Sequence, residues 1–164
     1  MKKNPAFAHE VSGPLTDGLR RNVWPQYHHI SPDDQPQDHF IERDGACFAG
    51  LHLLLDLWGA RNLDNLDRME AALRECVARC RATLLHIHLH HFSPGGGISG
   101  VAVLAESHIS VHTWPERRFA AFDIFMCGQA RAEEAIAVLM RTFAPKRVHI
   151  TENLRGMTGH ARVR

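Results

Sequence analysis

A serine stands between a glutamate and a histidine in the run Ala105-Glu106-Ser107-His108-Ile109-Ser110-Val111-His112-Thr113-Trp114-Pro115-Glu116. Hydroxyls, imidazoles and carboxylates this close together are the groups that nucleophilic and proton-transfer chemistry uses. No G-x-S-x-G elbow surrounds Ser107, because Gly100 lies too far upstream. A Ser-His-Asp set could be assembled from Ser107, a histidine and Asp123, but such triads are defined by geometry and not by spacing. A lone serine among apolar residues is ordinarily a satisfied strand or turn residue. The informative feature is therefore the ordered combination. Pro94-Gly95-Gly96-Gly97-Ile98-Ser99-Gly100 precedes the run, and Asp123-Ile124-Phe125-Met126-Cys127-Gly128 follows it.

That combination resembles the self-cleavage site of the small prokaryotic S-adenosylmethionine decarboxylases, over about Ala49 to Gly156. The resemblance implies a proenzyme in which the Ser107 hydroxyl attacks the preceding carbonyl, giving an ester. Elimination then leaves dehydroalanine, which hydrolyses to a covalent pyruvoyl group and ammonia. The bond broken is Glu106–Ser107, so a β chain would end at Glu106 and an α chain (107–164) would begin with the pyruvoyl. It further implies that His112 is the proton acceptor in processing, with Ser99 assisting. Strand parity alone does not separate His108 from His112. Cys127 corresponds to the family's proton donor to the substrate carbon, and Phe92 to an aromatic that packs on adenine. His52 and Glu116 join Phe92 as expected substrate-binding residues. The expected reaction converts S-adenosylmethionine to S-adenosylmethioninamine and carbon dioxide, supplying the aminopropyl donor for spermidine. Decarboxylation leaves an electron pair that needs a sink, and a Schiff base with a pyruvoyl carbonyl provides one. No lysine occupies a site-like motif, which argues against pyridoxal phosphate.

The whole chain is compatible with such an enzyme. At 164 residues, formal charge +1 and pI near 7.9, it fits one core and lacks an electrostatic footprint for nucleic acid. No apolar run has bilayer length, and Met1-Lys2-Lys3 is not followed by a signal-peptide core, so a cytoplasmic protein with no membrane partner is expected. Its four cysteines are then expected to be reduced thiols. Cys76 and Cys80 read as core-facing residues of a helix. Cys47 has no evident partner, and Cys127 ends an apolar strand where a cleft could open.

Five of the eight prolines fall within residues 1–38, which read as a weakly ordered arm with Trp24 and Tyr27 as possible anchors on a partner. Residues 39–164 form the single domain. Ala49 to Trp58 reads as a strand that puts His52, Leu54 and Asp56 on one face. Asp64 is a plausible N-cap for a helix running to about Arg81. From Thr83 to Phe92 the alternation predicts Leu85, Ile87 and Leu89 on one face and His86, His88 and His90 on the other. The histidines are spread too far along one strand to converge on an ion, so no metal is expected. Gly95-Gly96-Gly97 reads as a hairpin turn, since a phosphate loop should open a helix. Strands follow over Ile98–Ala105, Ile109–Val111 and Phe119–Phe125. A helix over Ala130–Phe143 ends at Pro145, and Arg147–Thr151 gives a last strand. The class is α+β: an antiparallel sheet with both helices on one face, the other face turned toward a second subunit and the active site. A homo-oligomer of αβ units, a dimer or larger, is the expected assembly. Two further readings are a pyruvoyl decarboxylase of arginine or ornithine, and an uncleaved, non-catalytic regulatory partner.

Overall fold

The computed structural model describes residues 39–93 and 95–158. The N-terminal arm, with Trp24 and Tyr27, lies outside the described residues.

The first element is a small hairpin, β1 (Ile41–Arg43) and β2 (Ala46–Phe48). Asp44 and Gly45 join them with φ of 51° and 80°. An Asp-Gly pair with both residues left-handed matches the twist of the strands it joins. A second, six-stranded antiparallel sheet follows, made of β3 (Gly50–Trp58), β4 (Leu84–His91), β5 (Ile98–Leu104), β6 (Ser107–Trp114), β7 (Phe119–Met126) and β8 (Arg147–Arg155). Their order is β4-β5-β6-β7-β3-β8. Helix α1 (Leu66–Arg79) connects β3 to β4, and α2 (Glu134–Phe143) connects β7 to β8.

Period-two alternation decides which face is buried. Leu51, Leu53, Leu55 and Leu57 of β3 are buried, as are Ile109 and Val111 of β6 and Phe122, Ile124 and Met126 of β7. They share one core with Met69, Leu73, Cys76 and Val77 of α1 and Val138, Leu139 and Phe143 of α2. The opposite residues, among them His52, Asp56, His108, His112 and Asp123, are only partly buried or exposed. The expected α+β sheet with two helices is therefore present.

Several local expectations change. The N-cap of α1 is Asn65, not Asp64: its side chain accepts from the Arg68 N–H. Both residue types cap well, and the first turn's position selects between them. Residues 130–133 lie outside the helix, the last two in a turn, so α2 begins at Glu134. Leu85 does not share a face with Ile87 and Leu89. A register irregularity between Leu84 and His86 exposes Leu85 and puts Leu84 against the core instead. One extra residue in an edge strand reverses the parity upstream of it. β8 continues to Arg155 because each of its residues pairs with β3, although Thr151-Glu152-Asn153 is polar enough to read as a loop.

Candidate active site

The turn between β5 and β6 holds the first group of residues. Leu104 pairs with Ser107, which leaves Ala105 and Glu106 as a two-residue connection. Glu106 takes φ 77°, in the left-handed region. For a residue with an ordinary side chain that costs on the order of 1–3 kcal/mol. Strain thus sits on the residue whose carbonyl is bonded to Ser107.

Across the strand end, Cys127 directly follows β7, and its backbone N–H donates to Ser107 Oγ at 3.2 Å. Burial pushes the Cys127 thiol up from its ordinary value. The Glu106 carboxylate pushes the same way, and a Ser107 hydrogen bond opposes them. The protonated thiol is therefore the form present at neutral pH, as a proton donor requires. Ser107, Glu106 and Cys127 share a cleft of about 350 Å³ with His39 and Arg81.

The other end of the same hairpin carries a second group. Ser99 and His112 are register partners, and their Oγ and Nδ1 lie 3.0 Å apart. They line a cleft of about 290 Å³ with Phe92, Trp114 and Glu116. Phe92 is 66% exposed, so its ring is available to a ligand, and His90 meets its edge (centroids 4.8 Å apart). His112 lies five residues from Ser107 along β6, about 17 Å at the usual strand rise. Ser107 also shares the parity of the buried Ile109 and Val111, whereas His112 is on the open face. Within one chain the structure brings Ser107, Glu106 and Cys127 together and, separately, Ser99, His112, Phe92 and Glu116.

His52 belongs to neither group. On the open face its Nε2 lies 3.5 Å from Asp123, which accepts from Ser110 Oγ at 3.1 Å, and its Nδ1 is 3.3 Å from an Arg155 nitrogen. The His108 ring approaches His52 and Phe125. Burial lowers the His108 pKa, His52 lowers it further, and Asp123 opposes both. His108 is thus biased toward the neutral imidazole. Asp123 is engaged here and not with Ser107, so the alternative Ser-His-Asp set on Ser107 is not assembled.

Among the described residues no three His, Cys, Asp or Glu side chains form a group that could hold a metal ion. His86, His88 and His90 are exposed along the edge strand. Sequence reasoning passed over His39 and Arg81. His39 is distant in sequence from the cleft, and no local pattern could have singled it out. Ser110 was within reach, since alternation places it on the face of Asp123.

Residues 51–156 match the family described as S-adenosylmethionine decarboxylase. The chain is 44% identical over 109 residues to an S-adenosylmethionine decarboxylase proenzyme of Thermomicrobium roseum, covering 66% of this chain and 94% of that protein. It is 46% identical over 110 residues to a protein of the same name from Methanococcus aeolicus, covering 65% and 93%. The crystal structure of an adenosylmethionine decarboxylase from Aquifex aeolicus VF5 superposes with a TM-score of 0.62 at 31% identity, covering 71% of this chain and 98% of that one. The matched span contains both clefts apart from His39, and every strand of the large sheet apart from Gly50. The chain belongs to the S-adenosylmethionine decarboxylase family.

Proposed function

We propose that this chain is a self-processing proenzyme that decarboxylates S-adenosylmethionine with a pyruvoyl group made from Ser107. The observation that carries the reading is a serine hydroxyl held beside a protonated thiol and directly after a strained peptide unit. Attack by Ser107 Oγ on the Glu106 carbonyl breaks the Glu106–Ser107 amide and frees Glu106 from its left-handed conformation. These residues fit a pyruvoyl group: the nucleophile that generates it is present, and the partly buried cleft limits competing water. When formed, that carbonyl supplies the electron sink for the carbanion left by decarboxylation. Cys127 delivers the proton to the substrate carbon. Phe92 offers a ring face to adenine, and Glu116, beside it in the same cleft, offers a carboxylate to the cationic substrate.

Ser99 and His112 lie too far from Ser107 in their own chain to help it. We assign the shared site to a homo-oligomer of at least two αβ units packed through the open sheet face, so that one copy's His112 and Ser99 reach the strand-end cleft that Ser107 lines in the other. That face carries a stacked row of Trp58, Phe119 and Trp114, with ring centroids 4.3 and 5.3 Å apart. Trp58 is 38% exposed and Trp114 41%, and a contiguous exposed apolar row is the kind of surface that marks an interaction site. Cytoplasmic work and supply of an aminopropyl donor for spermidine belong to the same proposal. The four cysteines are free thiols, as a reducing compartment would keep them.

The test is electrophoresis and mass spectrometry of the purified full chain, followed by carbon dioxide release from labelled S-adenosylmethionine, arginine and ornithine. Two fragments divided after residue 106, the second blocked by a pyruvoyl group, and preferential release from S-adenosylmethionine are expected. A free amino-terminal serine at position 107 would mean plain hydrolysis and defeat the cofactor assignment. Preference for arginine or ornithine would defeat the substrate assignment alone.

A further inference from the structure

The family match begins at residue 51, yet residues 39–50 fold onto the Ser107 end of the domain. β1 and β2 pair with each other, Cys47 bridges to Thr158, and an Arg43 nitrogen donates to Glu133 at 3.1 Å. At the start of this segment His39 reaches both sides of the cleft. Its Nε2 is 3.0 Å from Glu106 Oε2, and its carbonyl accepts from the Gly128 N–H at 2.9 Å. A single residue outside the family-matched span therefore touches the turn that precedes Ser107 and the turn that follows Cys127.

We propose that His39 is a positioning residue for self-processing, holding the Glu106 side chain while Ser107 attacks the Glu106 carbonyl. The inference rests on the proposed Glu106–Ser107 cleavage. Glu106 is in a sparsely populated conformation, and an external partner on its carboxylate restricts the exits from it. The role extends past cleavage. The Ser107 oxygen leaves with the Glu106 carboxylate during processing, so the Cys127 N–H loses its acceptor. The bond from Gly128 N–H to the His39 carbonyl does not depend on that oxygen. His39 would then belong to the β chain and Gly128 to the α chain, so this bond links the two products beside the catalytic thiol. Apart from Glu106, the titratable groups on the cleft walls are Arg81 and Cys127, and neither makes a hydrogen bond or ion pair with the His39 ring.

The pair is exposed on both sides, so its expected effect is modest. With the full-length proenzyme, His39→Ala should slow the appearance of the two fragments about two- to fivefold, the range that exposed charge pairs support. His39→Lys, which restores a donor to Glu106, should recover most of that loss. The double variant His39→Ala with Glu106→Ala should be no slower than the slower single variant, because both remove one interaction. Thermal midpoints of the uncleaved chains, measured on a Ser107→Ala background, should agree between His39→Ala and His39→Lys, which separates positioning from a general loss of fold. His39→Ala cleaving at the wild-type rate, failure of lysine to rescue, or additive effects in the double variant would each overturn the role of His39 while leaving self-processing standing. A wild-type chain that never divides would overturn the self-processing reading and this inference with it.

Discussion

At the scale of single residues, the proposed chemistry depends on an oxygen and a thiol. Ser107→Ala removes the nucleophile and should give one intact chain without activity, seen as a single band of full mass. Cys127→Ala should still divide, but with kcat reduced on the order of a hundred- to ten-thousand-fold, the usual contribution of a general acid. Full turnover in that processed variant would take the proton-donor role from Cys127. The thiol's raised pKa gives a pH test whose sign is fixed. The active form is protonated, so activity from this group persists as pH rises and is lost only above the raised value. Glu106 is one of the two causes raising it. In processed Glu106→Gln the alkaline limb of the kcat profile should therefore move to lower pH. A limb that stays in place would mean that another group titrates there. Cys76 and Cys80 are different thiols: both are buried, Cys80 is pushed up to about 11, and their sulfurs face Ala135 and Ala132 carbonyls. A thiol reagent should label Cys127 well before either.

At the scale of elements, one side chain of the His-Thr-Trp-Pro-Glu run has a purely structural duty. Thr113 is 6% exposed; its Oγ1 accepts from the Ile98 N–H at 2.7 Å and donates to the Leu63 carbonyl at 2.8 Å. It thereby ties β6 to the start of β5 and to the loop before α1. Gly97 passes so close to the Thr113 carbonyl that a Cβ there would collide with it. Thr113→Val keeps the shape but leaves a buried donor and a buried acceptor unpaired. It should cost about 1–3 kcal/mol, read as a lower urea midpoint at unchanged slope. A motif that reads as catalytic in one dimension thus divides here into His112 and Glu116, which line a cleft, and Thr113, which holds the hairpin. The hairpin of β1 and β2 went unread although Asp44-Gly45 is a strong turn signal, because the strands beside it are too short to show alternation. The bulge at Leu84 was not legible, because an extra residue in a strand leaves no mark in composition.

At the scale of the whole molecule, the proposed oligomer would join two groups of residues that one hairpin holds at opposite ends. Ser107→Ala and His112→Ala chains, each defective alone, should complement when co-expressed. A mixed pair offers Ser107 from one chain and His112 from the other, so the His112→Ala chain should regain cleavage while the Ser107→Ala chain stays whole. No recovery would confine processing to a single chain. Phe92→Ala should mainly raise KM for S-adenosylmethionine, because ring stacking acts alike on ground and transition states. A fall in kcat at unchanged KM would put Phe92 in the chemical step instead.

The sequence alone determined most of the elements and singled out the candidate reacting groups. Alternation of Leu51, Leu53, Leu55 and Leu57 is a local property of a strand and needs no partner to be read. So is the placing of Cys127 at a strand end before Gly128. The grouping of those residues was decided by tertiary structure, because contacts between residues distant in the chain leave no local pattern. Ser107 meets Cys127 only because β6 lies beside β7 in this register, and the same strand carries His112 away from Ser107 by its fixed rise per residue. His39 reaches Glu106 across a separation that periodicity cannot span, brought there by a hairpin whose only long-range signals are made after folding.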